Sequence, residues 1–517
     1  MLAIYNFLSV SYNGIMPATI KINEKDTVVI ALRDLRKGEK VEGDVILLED
    51  IPQAHKIALC DREKGAPVIR YGVVLGFLTQ PIRKGEWINE HKMAVAPSPD
   101  LASLVWGTDV HVRLPHPRRT TWRGYSVPGQ RWAGSRNILA ITSTVQCCQG
   151  VVDAAVRKMK EELLAKYPHV DDIVALNHVY GCGIDVNAPG SEIPVRTIRN
   201  LMHNPNFGGQ LFVVSLGCEH LRPDLLLSES ENNLGNVIVL QKQHGFAGML
   251  EAMMEMAEKK LAILESRRRE ELPLSRLLVG FQCGGSDAFS GIAANPAAGY
   301  ASDLLVSEGA GSMFSEVTEV RDGADKLAAR CIDEATFRKL VHELDWYDKY
   351  LARGGMDRDG NPTPGNKAGG LSNIVEKAMG SIAKSGSAPI VDVLASGERA
   401  TKGGLMFAAT SANDVICGPS QLASGMALEV FMTGRGTPYG LAEAPVIKVS
   451  TRHELKEMWP DLIDIDAGYV ETGEKTIQEV GEELFNLILD VASGEKPKVE
   501  QLGLSNYICL LNPAPLE

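Results

Sequence analysis

The sequence predicts an α/β protein: a small all-β module followed by two larger α/β domains. Three observations carry that reading. Short β-like runs separated by Gly-containing turns fill residues 17–92. Beyond residue 121, apolar runs alternate with helical segments in the rhythm of βα units. The 517 residues are 44% hydrophobic and 23% charged, an ordinary globular composition with length for about three domains.

The elements follow in chain order. Residues 1–16 (MLAIYNFLSVSYNGIM) hold a short apolar stretch but no basic n-region or small-residue cleavage site. They read as an extension or an upstream start rather than a signal peptide. Residues 17–95 form the β-module, with TIKI, TVVIAL, HKIALC and VIRYGVVLGFL as strands and RKGEK, DREKGAP and RKGEW as turns. His55 stands just before one of these strands. It is either a polar loop residue or a group delivered over the active site of the larger body. Residues 96–121, rich in Pro and without sustained periodicity, form a linker.

A central α/β domain is expected over residues 122–387 and a second over 388–517. Within the first, Leu250, Met253, Ala257, Leu261 and Leu264 recur at helical spacing and predict a helix over 249–269 with a core-facing stripe. Within the second, IVDVLA, GLMFAAT, LEVFMTGRGT and APVIKVS read as strands, and a helix over 477–492 closes the chain.

Chemistry-bearing residues sit at the ends of apolar runs. Cys147, Cys182, Cys218 and Cys283 end LAITSTVQC, IVALNHVYGC, LFVVSLGC and LLVGFQC, and Glu316 follows SMFS. Parallel strands of a single sheet would place all five on one rim, where open α/β sheets bind ligands. Thiolates, a carboxylate and the imidazole of His178 gathered there suit a redox-sensitive transition metal better than a zinc finger, because the spacings are long and irregular. Taken singly, each of these cysteines reads better as a small buried hydrophobe than as a ligand, and it is their shared place at strand ends that favours a site. An iron–sulfur cluster is the other metal arrangement, which would use three cysteines and leave one iron open.

Other residues mark the walls of such a site. In CGGSD the glycines permit close approach, while Ser286 and Asp287 either contact a ligand or cap a helix. Glu316 and Glu319 share a cavity only if the strand ends between them, and Glu316 is favoured as ligand or acid. Arg435, between glycines in GRGTPYG, is free to grip a carboxylate through its two-point fork. Asn366 and Lys367 in NPTPGNKAGG stand ready for the far end of a substrate, or belong to a plain structural loop.

Charge and composition exclude several classes. A net charge of −12 argues against a nucleic-acid partner. Nine cysteines without a closely spaced framework, and no long apolar span, point to a reducing cytoplasm and no membrane. No G-x-G-x-x-G follows an early strand, which argues against a nicotinamide-dependent dehydrogenase.

The segments NHVYGCG, FQCGGSDAFSGIAANPAAGYASDLL, FSEVTEVRDG, NPTPGNKAGGLSNIVEKAMGSIAKSG and TGRGTPYG resemble those of the altronate and galactarate dehydratases, and the likeness runs from Met16 to the C-terminus. The resemblance implies a SAF-type (β-clip) N-terminal module followed by Rossmann-like α/β domains. It implies loss of water from a hexarate, with galactarate giving 5-dehydro-4-deoxy-D-glucarate, and a divalent metal, Fe(II) before Mn(II). Altronate or another hexonate or hexarate is the alternative substrate, and a non-catalytic sugar-acid-binding protein the outside alternative. The expected partner is the small-molecule acid, with a homo-oligomer left open. Such a dehydration needs a base with a pKa near the working pH, and His178 and His55 are the candidates in motif-bearing positions. Cys147, Cys182, Cys218 and Cys283 are the expected metal ligands. Ser286, Asp287, Asn366, Lys367 and Arg435 are the expected substrate contacts.

Overall fold

Alternation along single strands decides how the N-terminal module is built. In the computed structural model, which describes residues 17–514, strand Val28–Ala31 pairs with Thr19–Ile20 and Lys56–Ala58, and Trp87–Ile88 completes that sheet. The reading of residues 1–16 lies outside the described residues. Val29 and Ala31 pack with Leu35 and Ile57 on one side, while Val28 packs with Leu75, Leu78 and Ile88 on the other. Ile30 joins Ile20, Ile22 and Ala54 against Ala288, Phe289 and Ile292, so part of the module's surface is docked on the C-terminal body.

The predicted linker runs without regular structure apart from a short turn at Leu101–Ser103, and the chain becomes a strand at Thr121–Gly124. A four-stranded parallel sheet follows, in the order Asp172–Leu176, Ile138–Ser143, Val213–Ser215, Val237–Val239. One face (Leu139, Ile141, Ile173, Phe212) is covered by helices Gln149–Glu162 and Gly245–Glu265. In the second helix Met253, Ala257, Leu261 and Leu264 are fully buried, as the helical spacing predicts. The other face (Ile138, Ala140, Val174, Leu176) packs with Leu278, Met313, Met406 and Phe431 of the next sheet.

That next sheet has seven strands, all parallel. Its order is Ile390–Ala395, Gly404–Ala409, Gly311–Ser315, Leu278–Cys283, Leu428–Thr433, Val446–Ser450, Ile465–Asp466. Helices Ala294–Ser307 and Ile477–Ala492 seal one face through Ala297, Ala301, Leu484 and Ile488. Every side chain of the three central strands is buried, which explains their near-continuous apolar sequences.

The α/β class and the strand-rich N-terminal module are thus present, but the sheets divide differently from the sequence reading. A boundary after residue 387 falls inside one hydrogen-bonded sheet, whose strands run from residue 278 to 466. The change of sheet comes earlier, after helix Gly245–Glu265, where Glu270–Pro273 pairs antiparallel with Thr121–Gly124. The long helical connection between Gly311–Ser315 and Ile390–Ala395 imitates a domain junction, because local periodicity does not encode strand order. No helix among the described residues is long and apolar enough to cross a membrane.

Candidate functional site

Two neighbouring strands of the seven-stranded sheet, Leu278–Cys283 and Gly311–Ser315, end side by side and present Cys283 and Glu316. Glu316 takes φ +80° and ψ +78°, a left-handed conformation that non-glycine residues adopt at a cost of order 1–3 kcal/mol and that clusters at functional sites. The bend starts a tight turn over Val317–Glu319 and swings Glu319 back toward the same cavity. Cys283 Sγ lies 3.4 Å from Glu319 Oε2, and the Cys283 amide donates to Glu316 Oε2 at 3.3 Å. Ligand atoms of Cys283, Glu316 and Glu319 all fall within 4.8 Å of one another.

Helix Ile374–Ile382 and the turn after it close over this trio. Lys384 Nζ contacts Glu316 Oε2, donates to Ser381 Oγ at 2.9 Å and reaches Cys283 Sγ at 3.2 Å. Lys377 Nζ stands 2.7 Å from Glu319 Oε1. All five groups are buried, so two carboxylates and two ammoniums balance where water cannot screen them. Burial pushes Glu316 up to about 8; Lys384 pulls it back, and Glu319 adds to the rise. Burial also pushes the Cys283 thiol up to about 12 against the pull of Lys384. For Lys384, burial works against the charge, yet Cys283, Glu316 and Glu319 together hold it above the ordinary lysine range.

The adjoining wall holds the residues expected from CGGSD. Ser286 Oγ is buried with no hydrogen-bond partner among the described residues, and so is Glu316 Oε1. Asp287 accepts from the amides of Phe289 and Ser290 at 3.1 and 3.0 Å and lies 3.1 Å from Arg452 Nε, so it is both a turn cap and half of an ion pair. A Cβ at Gly434 would come within 2.3 Å of Asp287 Cγ, so only glycine lets the GRG loop approach this closely. That loop is tied down by the Arg435 amide on Gly285 O at 2.7 Å, while the Arg435 side chain is exposed. Thr363 caps the short helix Pro364–Ala368, Asn366 completes the capping box by accepting from the Thr363 amide, and its Nδ2 donates to Ser286 O at 2.8 Å. Lys367, half-buried, is on that helix.

The N-terminal module supplies the remaining side. Lys56 Nζ lies 2.8 Å from Glu376 Oε2 and donates to Gly370 O at 2.7 Å, and Arg70 pairs with the other Glu376 oxygen. Tyr71 helps to enclose a cavity of about 10 Å³ beside Cys283, Ser286 and Lys377, room for a single water. His55 is held at this contact. Trp87 donates to its Nδ1 at 3.1 Å and its Nε2 faces Ala368 O at 3.4 Å, while burial and then Lys56 lower its pKa.

The single expected rim therefore separates into two. Cys147, Cys182, Cys218 and His178 belong to loops of the four-stranded sheet, whereas Cys283 and Glu316 belong to the seven-stranded one. Runs ending in cysteine reveal strand ends but not which sheet a strand joins. His178 is buried, with Nε2 2.7 Å from Ser143 O and Nδ1 accepting from the Tyr180 amide at 3.2 Å. Burial pulls its pKa down to about 4. Both of its nitrogens are engaged within the loops of the four-stranded sheet. Lys377, Lys384 and Arg452 escaped the sequence reading. The signal was present for the first two: charged residues inside IVEKAMGSIAKSG, an otherwise apolar helix that turns out to be almost wholly buried.

Three family models match the chain. The altronate/galactarate dehydratase SAF domain covers residues 17–96, the D-galactarate dehydratase/altronate hydrolase second domain 124–265, and the D-galactarate/altronate dehydratase C-terminal domain 274–515. The last two coincide with the units around the two parallel sheets. The chain is 49% identical to galactarate dehydratase (L-threo-forming) of Escherichia coli K12, over 96% of this chain and 97% of that protein. It is 33% identical to altronate dehydratase of Bacillus subtilis 168 (93% and 96% covered) and 32% identical to that of Escherichia coli K12 (92% and 95%).

Proposed function

The chain belongs to the D-galactarate/altronate dehydratase family, and from that premise we propose that it removes water from galactarate to give 5-dehydro-4-deoxy-D-glucarate. The observation that carries the choice of substrate is 49% identity to a galactarate dehydratase along nearly the whole of both chains, against 33% and 32% to altronate dehydratases.

The reaction takes a proton from the carbon beside a carboxylate and expels the hydroxyl on the next carbon. The first step makes an enediolate and the second a poor leaving group, so positive charge and a proton carrier must meet at one place. Lys384 and Lys377 bring that charge to the Cys283 rim in a dry setting, where it acts most strongly. Lys384, held as an ammonium in contact with Glu316, Ser381 and Cys283, is the group placed to give a proton to the departing hydroxyl. The Ser286 hydroxyl is free to meet a substrate hydroxyl, and Arg435, with Lys367 nearby, holds the far carboxylate at the mouth. The cavity beside Cys283, with room for a single water, is too small for a six-carbon diacid, so substrate entry requires its walls to part.

The donor set also fits a divalent metal. Cys283, Glu316 and Glu319 would hold it, and Glu316 Oε1 has no competing hydrogen-bond partner among the described residues. Lys384 neutralises the same donors, so its ammonium would have to leave them for an ion to be held there. When bound, such an ion polarises a substrate carboxylate and hydroxyl together, and a thiol among the ligands favours Fe(II) over Mn(II).

The test is anaerobic incubation with Fe(II) and galactarate, altronate or glucarate, with the 2-keto product trapped by semicarbazide. Galactarate should give the highest kcat/KM. A higher value for altronate would overturn the substrate, and no product from any acid would leave a binding protein.

A further inference from the structure

Three thiols of the four-stranded sheet play no part in the chemistry described above. Cys147, Cys182 and Cys218 follow three adjacent parallel strands, Ile138–Ser143, Asp172–Leu176 and Val213–Ser215, and all three are exposed free thiols. The strands stand in the sequence order second, first, third, fourth, so the rim between the first and third is a topological switch point, where open α/β sheets take ligands.

Buried polar groups pin the three loops to one another. His178 faces Ser143 O at 2.7 Å and accepts from the Tyr180 amide, fixing the Cys182 loop to the strand that leads to Cys147. Gly181, at φ +110°, lies so close that a Cβ there would come within 2.1 Å of Thr144 O. The buried Glu219 carboxylate takes hydrogen bonds from Thr144 and Ser215 hydroxyls and from the Leu216 and Gly217 amides, fixing the Cys218 loop to that same segment. Helix Gln149–Glu162 begins two residues after Cys147, with no side-chain cap at its N-terminus. Gln241 Nε2 donates to Cys218 Sγ at 3.3 Å, the kind of N–H···S contact that supports a metal-bound thiolate.

We propose that Cys147, Cys182 and Cys218 together hold an iron–sulfur cluster of the four-iron type, with the fourth iron open to a small oxygen ligand. A single tetrahedral ion, with metal–sulfur bonds of about 2.3 Å, draws its thiolates to about 4 Å from one another. Among the described residues only Cys283, Glu316 and Glu319 bring three ligand atoms within 4.8 Å. The rim thiols are spread over three strands that stand about 4.8 Å apart in any sheet, a span that suits a cluster rather than one ion. The site is separate from the Cys283 trio and does not depend on galactarate being the substrate.

The test reconstitutes the full-length protein anaerobically with iron, sulfide and thiol reductant, then reads iron, acid-labile sulfide and visible absorption after desalting. The wild type should retain iron and sulfide in equal amounts with a broad band near 400 nm. Cys147→Ser, Cys182→Ser and Cys218→Ser should each lose most of both, while Cys283→Ser keeps them; the rim thiols are exposed, and circular dichroism verifies that each variant is folded. No sulfide in the wild type, zinc or iron alone on the rim, equal retention by the triple serine variant, or loss in Cys283→Ser alone would each overturn the proposal.

Discussion

Lys384 reaches across the rim of the seven-stranded sheet to stand 3.2 Å from the Cys283 thiol, and the same nitrogen contacts Glu316. Replacing it with methionine leaves a buried carboxylate without its cation, which costs on the order of 3 kcal/mol. Lys384→Met should unfold at lower denaturant and lose about 10²–10⁴-fold in galactarate turnover. A rate within twofold of wild type would remove Lys384 from the chemistry.

The N-terminal module hangs on Glu376, which neutralises both Lys56 and Arg70 at a completely buried contact. Glu376→Gln leaves two cations without a partner, at a cost of about 3–5 kcal/mol. Limited proteolysis in the 96–121 linker should speed up and release the module. Cleavage at the wild-type rate would show that the apolar contact of Ile30 with Phe289 suffices.

Arg435 is exposed and its side chain contributes little to the fold, so its substitution reads function. Arg435→Lys keeps the charge but loses the planar two-point grip, and kcat/KM for galactarate should fall about 10–100-fold with an unchanged unfolding midpoint. Unaltered kinetics would place the far carboxylate elsewhere.

His178 sets an acid limit on the second domain. Its folded pKa, about 4, lies below the ordinary 6.5, so the unfolded chain binds the extra proton first. The contribution is complete above pH 6.5 and drains away as pH falls to 4, about 3 kcal/mol in all. Denaturant midpoints across that window should fall steeply for the wild type and less for His178→Gln, whose amide can still donate to Ser143 O. Parallel curves would show that other groups set the acid limit.

Much of this was legible in the sequence. Helix Ile477–Ala492 and strands such as Ile390–Ala395 appear where their periodicity places them, because a core-facing stripe and a buried strand are local patterns. The sharing of strands between two sheets was not legible. Cys182 and Cys283 end similar runs, and only the long-range pairing of Leu278–Cys283 with Gly311–Ser315 separates them. Glu319 was visible but undervalued, since its approach to Cys283 depends on the left-handed turn at Glu316, which no side-chain pattern announces.

The most direct test of the account is the rate of galactarate dehydration by Glu316→Gln in the presence of Fe(II), measured together with its unfolding midpoint. Glutamine keeps the shape but cannot carry the negative charge that holds Lys384 or a metal. The account predicts a loss of about 10³-fold or more in rate in a protein that still folds. A folded Glu316→Gln enzyme turning over galactarate near the wild-type rate would contradict it and move the chemistry away from the Cys283 rim.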